Sequence, residues 1–188
     1  MKHHVIYIPG LGDDYDGVRR RALKGWRLWG VKTELVSMRW YDGRPYAEKY
    51  QRVIESVKRA EDKGYVVSLV GESAGGSMAI NVAAQVPTIH KLITVCGVNS
   101  PAIKVSPHTL RKAPAFGESI SLLVDSLPKI IARTHVVRAW YDPVVYAEHT
   151  YIKGATNHLI YNIGHLSTVV LCLTILSGYV VSLIKRSS

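Results

Sequence analysis

YVVSLVGESAGGSMAINVAAQ, residues 65–85, is the stretch that decides the fold. Residues 65–70 are a short run rich in Val and Leu with a single Ser, which suits a strand buried on both faces. Gly71-Glu72-Ser73-Ala74-Gly75-Gly76 follows at once, and residues 73–85 then read as a helix of small residues closed by Pro87. A serine on a sharp strand-to-helix turn is the context of a GxSxG nucleophile elbow. Such a turn strains the serine backbone, so its neighbours must lack bulk, and Gly71, Gly75 and Gly76 leave that room. The helix start also aims free N–H groups and a positive dipole end at the same spot. A phosphate-binding loop would need a following Gly-Lys-Ser or Gly-Lys-Thr, which is absent. The plainer alternative is a glycine-rich helix start that only packs tightly.

Working outward, strand-like and helix-like segments alternate. Residues 4–8 (HVIYI) form an apolar run ended by Pro9-Gly10, and residues 32–38 (KTELVSM) read as a second strand. Between them Val18, Ala22, Trp26 and Trp29 recur at helical spacing, with Arg20, Lys24 and Arg27 opposite. Tyr46, Tyr50, Val53, Ile54 and Val57 make a second helical stripe ending near Lys63-Gly64. Residues 90–95, 134–140 and 155–161 read as further strands, and the chain from Leu166 onward as one long apolar helix. This alternation predicts an α/β fold: a mainly parallel sheet of about six strands with helices on both faces, in one domain spanning residues 1–188. Right-handed crossovers then bring all strand C-terminal ends, and any ligand, to one edge. Residues 97–116, with three prolines, are expected to loop over that edge as a binding segment or lid.

A serine hydroxyl needs a base beside it and a third group to orient that base. In the chain order Ser, acid, His, both partners lie beyond the nucleophile, each just past a strand. Asp142 follows the strand THVVRAW, in Tyr141-Asp142-Pro143, and His165 follows the last strand in Gly164-His165-Leu166. Taken singly, Asp142 could be a turn-initiating Asp before Pro, and His165 a polar residue at a helix start. Asp125 is the rival acid, but it lies in an amphipathic stretch; His158 is the rival base, but it falls inside a strand. An oxyanion needs two N–H donors. Ala74, after the serine, supplies one; Leu11, between Gly10 and Gly12 after the first strand, supplies the other.

The ordered set IPGLG, GESAGG, YDPVV and GH resembles the α/β-hydrolase superfamily, in its small, cap-less serine hydrolase form. The elbow GESAGG is also similar to that of carboxylesterases and lipases. The resemblance implies a minimal α/β-hydrolase fold lacking the first two family strands. It also implies a triad of Ser73, Asp142 and His165 with an oxyanion hole at Leu11 and Ala74. The activity it implies is hydrolysis of a carboxylic ester or related acyl bond, without cofactor or metal, on a small-molecule or lipid-like substrate. An inactive hydrolase-like binding protein is the alternative reading.

The chain has 188 residues, 47% of them hydrophobic and 20% charged, which excludes extended disorder and small disulfide scaffolds. Its net charge of +10 favours anionic surroundings. Arg19, Arg20, Arg21, Lys24 and Arg27 read first as a solvated helix face; contact with anionic lipid or with nucleic acid are the lesser readings, since no nucleic-acid module accompanies them. Cys96 and Cys172 lie in apolar runs, so they are expected buried and reduced, and MKHHVIYIPG does not read as a signal peptide; a cytoplasmic setting follows as the expectation. The segment from Leu166 to Ile184 is uncharged and could span a bilayer by length, but its Ser and Thr content favours packing on the sheet, with peripheral membrane contact as the minor reading.

Overall fold

Six parallel strands form one sheet in the computed structural model, which describes residues 2–186. In chain order the elements are β1 (His3–Ile8), α1 (Asp16–Lys24), β2 (Val31–Leu35), α2 (Tyr46–Glu61), β3 (Val66–Glu72), α3 (Gly75–Gln85) and β4 (Leu92–Val95). There follow α4 (Pro107–Lys112), α5 (Pro114–Ser121), α6 (Leu123–Ser126), β5 (Thr134–Tyr141), α7 (Ala147–Thr150), β6 (Thr156–Ile163), α8 (His165–Leu173) and α9 (Ser177–Lys185). The sheet order is β2-β1-β3-β4-β5-β6. The chain runs one way from β1 to β2 and the other way from β3 onward, so the order reverses between β1 and β3, where open α/β sheets bind ligands. Ile8 pairs with Gly71 and Glu72 with Val95, which brings the ends of β1, β3 and β4 level.

Alternate residues of each strand feed two cores. Val5, Tyr7, Val70, Ile93 and Val137 pack with Leu23, Trp26, Cys172, Val180 and Ile184, the side of α1, α8 and α9. Ile6, Ile8, Leu69, Leu92 and Val136 pack with Val53, Met78, Ile80 and Phe116, the side of α2, α3 and α5. Both faces are covered, as a wholly parallel sheet requires.

Four expectations change. The buried face of α1 and the turn after it carries Asp16, Arg19, Leu23 and Trp26, whereas Val18 and Trp29 are largely exposed. Arg19 therefore leaves the solvated basic face; a buried carboxylate, described below, reverses the usual placement of a guanidinium. Residues 97–116 are not one loop: α4 and the start of α5 lie within them, and Ala113, Ala115 and Phe116 are buried in the core. Prolines at the first turns of α4 and α5 start those helices rather than break them. The C-terminal segment is two helices bent by 69°. Among the described residues no single helix is long and apolar enough to cross a membrane, and Val180, Val181, Leu183 and Ile184 are buried against the sheet.

At the start of β5, His135 Nδ1 lies 3.0 Å from His158 Nε2, and Tyr179 Oη lies 2.8 Å from His158 Nδ1. Burial, then the charges of His158, Lys91 and Arg186, bring His135 down from its ordinary 6.5 to about 4. Burial and Arg186 also lower His158. A histidine held neutral by the fold adds stability that is whole above about pH 6.5 and is lost as the pH falls toward 4. The urea midpoint is therefore expected to fall between pH 6.5 and 4.5, and to fall less in His135→Gln; an equal fall in the variant would remove this pair as the cause.

Candidate active site

The elbow is built by backbone hydrogen bonds. Ser73 has φ of 51°, in the left-handed region that a side chain rarely adopts. Its N–H donates to Val95 O (3.1 Å), and its carbonyl accepts from Gly76 N (2.9 Å) and Val98 N (2.8 Å), which hold it there. Space is as limiting as hydrogen bonding: a methyl group on Gly75 would collide with the Ile8 carbonyl, and one on Gly10 would lie 2.6 Å from Ser73 Cβ. Glycine at position 10 thus lets the loop after β1 touch the serine. Ala74 stands at the start of α3, where backbone N–H groups lack helical acceptors. Leu11 sits in the adjoining loop, partly buried against the core of α2 and α3.

Asp142 leaves β5 and is buried. Its Oδ1 accepts from Val144 N (2.8 Å) and Val145 N (2.9 Å), an Asx turn, while its Oδ2 meets His165 Nδ1 at 2.7 Å. One oxygen thus makes the turn, and the other faces the imidazole. Burial would raise this carboxyl, but the His165 hydrogen bond and the two N–H donors outweigh it and hold it below the usual carboxylate range. His165 opens α8 directly after Gly164, whose φ of 103° makes the turn out of β6. Of the rivals, Asp125 lies exposed near the end of α6, and His158 belongs to the His135 pair.

Cys96 joins this group. It ends β4 with φ of 47°, a second left-handed residue one strand from Ser73, and its N–H donates to Val137 O (2.8 Å). Its Sγ, a carboxylate oxygen of Asp142 and a ring nitrogen of His165 lie within 4.8 Å of one another. A metal would need the thiolate and a free imidazole nitrogen here. Burial, then the Asp142 charge, push the Cys96 thiol well up, which opposes the thiolate a metal would require, so the donor set does not fit a metal. Asn99, also buried, staples the segment after β4: its Nδ2 donates to Thr94 Oγ1 (2.9 Å) and Thr150 O (2.6 Å).

Glu72, the residue before the serine, is buried on the opposite side and receives Arg19. Arg19 Nη2 meets Glu72 Oε1 at 2.6 Å and Nε donates to Oε2 at 3.0 Å, with Tyr7 Oη donating to Oε2 at 2.6 Å. Arg19 Nη1 also donates to Gly12 O at 2.8 Å and reaches Asp16 Oδ1 at 3.3 Å. Burial alone would lower the guanidinium pKa; Glu72 outweighs it and raises it. From the other side, Trp40 Nε1 donates to Pro9 O (3.1 Å). The loop from Pro9 to Gly12 is thus pinned at both ends, and one end is pinned to the elbow. Arg19 is the functional residue that sequence reasoning passed over. Its spacing of three from Asp16 and seven from Gly12 was the only signal, and it was hidden in a run of basic residues.

No family model and no curated protein matches the sequence. Solved structures do match in shape. The chain is similar to a solved structure from LipS and LipT, two metagenome-derived lipolytic enzymes, with a TM-score of 0.75 and 12% identity, covering 98% of this chain and 95% of that one. It is similar to MGS-MChE2, an α/β hydrolase enzyme from the metagenome of lagoon sediments at Mar Chica, Morocco (TM-score 0.71, 20% identity, covering 98% and 91%). A third match is a hydrolase-superfamily protein from Xanthomonas campestris (TM-score 0.65, 22% identity, covering 96% and 99%).

Removing one member of a buried pair strands the other charge, at a cost of about 3–5 kcal/mol. Arg19→Ala is expected to destabilise the protein by about that amount in urea unfolding, whereas Arg19→Met combined with Glu72→Leu recovers much of it; equal losses in both would mean that the pair itself supplies the stability. The chain has the α/β-hydrolase fold.

Proposed function

We propose that the chain is a serine hydrolase that cleaves a carboxylic ester or a related acyl bond. The observation that carries this reading is the 2.7 Å contact between His165 and Asp142, on the sheet edge where Ser73 holds its left-handed turn. Asp142, acid-side and ionised, keeps Nδ1 of His165 as a donor and leaves Nε2 to act as base. Ser73 Oγ attacks the acyl carbon while His165 takes its proton; the carbonyl oxygen becomes an oxyanion facing the N–H groups of Leu11 and Ala74. Collapse expels the alcohol, which receives the proton from His165, and leaves an acyl-serine. Water, deprotonated by His165, attacks the acyl-serine; the acid departs and Ser73 regains its proton. Every proton moves between substrate, water and protein side chains.

The structural neighbours support the same class, since they include lipolytic enzymes, an esterase and a monoacylglycerol lipase. They bear on a small-molecule or lipid-like acyl substrate. Arg19 is a positioning residue in this scheme, because it acts through the Gly12 carbonyl and the Glu72 side chain.

Ser73→Ala is expected to lower p-nitrophenyl ester turnover by on the order of a thousandfold or more, and to abolish labelling by a fluorophosphonate probe. Asp142→Asn should lower kcat by roughly ten-thousandfold, because the imidazole then settles in the wrong tautomer. A wild-type protein that neither labels nor turns over any ester would leave a binding protein on a hydrolase scaffold.

A further inference from the structure

A groove of about 340 Å3 runs between α1 and α8. Val18 and Ala22 line it from α1; Leu166, Val169 and Val170 line it from α8. Its polar groups are the mutually satisfied Arg19–Glu72 pair, with Tyr15 at one end and Thr174 at the other. Two of its lining residues are chain neighbours of the candidate active site, and a third packs on the loop after β1. Glu72 precedes Ser73, Leu166 follows His165, and the Tyr15 ring comes within 3.2 Å of where a Cβ on Gly12 would stand. The groove therefore has one end beside Gly12 and the first turn of α8. At about 1.5 Å per helical residue, it extends roughly 13 Å along α8 to Thr174.

Its rim is apolar where water would favour polar groups. Tyr15, Val18, Leu166 and Val170 are 60%, 64%, 62% and 49% exposed. Such a run beside a reactive centre marks a surface that is covered in use. A larger hollow, of about 660 Å3, lies on the other face between α2, α3 and α6, but none of its lining residues is even a chain neighbour of a site residue.

We propose that the α1–α8 groove binds a medium-length, unbranched hydrocarbon chain of the ester substrate. The proposal rests on the serine hydrolase reading and adds the substrate class. A straight chain fits for three reasons. Apart from Tyr15 and Thr174 at its two ends, the walls are apolar side chains and the mutually paired Arg19 and Glu72; the groove is long and narrow between two helices; and its volume takes on the order of ten water-sized groups at about 30 Å3 each. Burying each methylene adds affinity, so turnover climbs with chain length until the groove is full.

Val170→Trp places a ring across the groove from an exposed position, and Val124→Trp on α6, also exposed, is the control. Both are first checked for an unchanged thermal transition. Two ester series are then read: p-nitrophenyl alkanoates from acetate to laurate, which lengthen the acyl side, and alkyl acetates from ethyl to dodecyl, which lengthen the alcohol side. In Val170→Trp, kcat/KM for the ten-carbon member of one series is expected to fall about tenfold or more, with the two-carbon members within twofold of wild type. The series that responds tells which side of the ester lies in the groove. Long and short members falling together, or a length profile unchanged in both series, would overturn the proposal. Should wild type hydrolyse no ester, the functional reading fails separately, and the groove is judged by binding of the fluorescent fatty acid cis-parinaric acid: saturable binding lost in Val170→Trp supports it, and binding equal in both, or none in wild type, ends it.

Discussion

A guanidinium sealed against a carboxylate under the Ser73 turn holds the upper edge of this molecule together. Arg19 and Glu72 are both buried, and neither would tolerate that burial alone. Together with Tyr7 they fill each other's hydrogen-bonding capacity, and Arg19 has a donor left for the Gly12 carbonyl. The elbow, the loop after β1 and the first helix are thereby joined at one point. A purely apolar contact could fill the same space, but it would not fix the loop's backbone orientation, which directional hydrogen bonds do.

The edge above that pair shows a repeated device. Two neighbouring strands, β3 and β4, each end in a non-glycine residue with positive φ, Ser73 and Cys96. Such conformations cost of order 1–3 kcal/mol each and persist only when the surroundings over-determine them. Here the surroundings are backbone hydrogen bonds to Val95, Gly76, Val98 and Val137, made possible because parallel register brings the strand ends level. One bend presents a hydroxyl, and the other brings a thiol beneath the Asp142–His165 contact. The position after β4 holds a buried, protonated thiol and no carboxylate, and Asp142 is the carboxylate that meets His165.

The two faces of the sheet divide the labour. Helices α2, α3 and α5 cover one side with a closed apolar core, and the small residues of α3 let it approach β3 closely. Helices α1, α8 and α9 cover the other, but α1 and α8 leave a groove between them. The bend of 69° after α8 allows α9 to return onto the sheet beside Trp26, while Leu166, Ser167 and Val170 of α8 stay exposed.

Much of this was legible in the chain. The order of strands, their parallel arrangement and the placement of Ser73, Asp142 and His165 past strand ends follow from apolar runs, glycine spacing and chain order, which are local signals. The bend between α8 and α9 and the helices of residues 107–121 were not legible, because continuous hydropathy hides a break and prolines start helices as readily as they end loops. The inward face of α1 was misjudged because periodicity counts Arg as polar. Only a carboxylate 53 residues away, brought near by the sheet, makes position 19 a buried one. Local sequence determined which residues stand at the edge; tertiary structure decided which of them meet, because a charge can enter the interior only where its partner already waits.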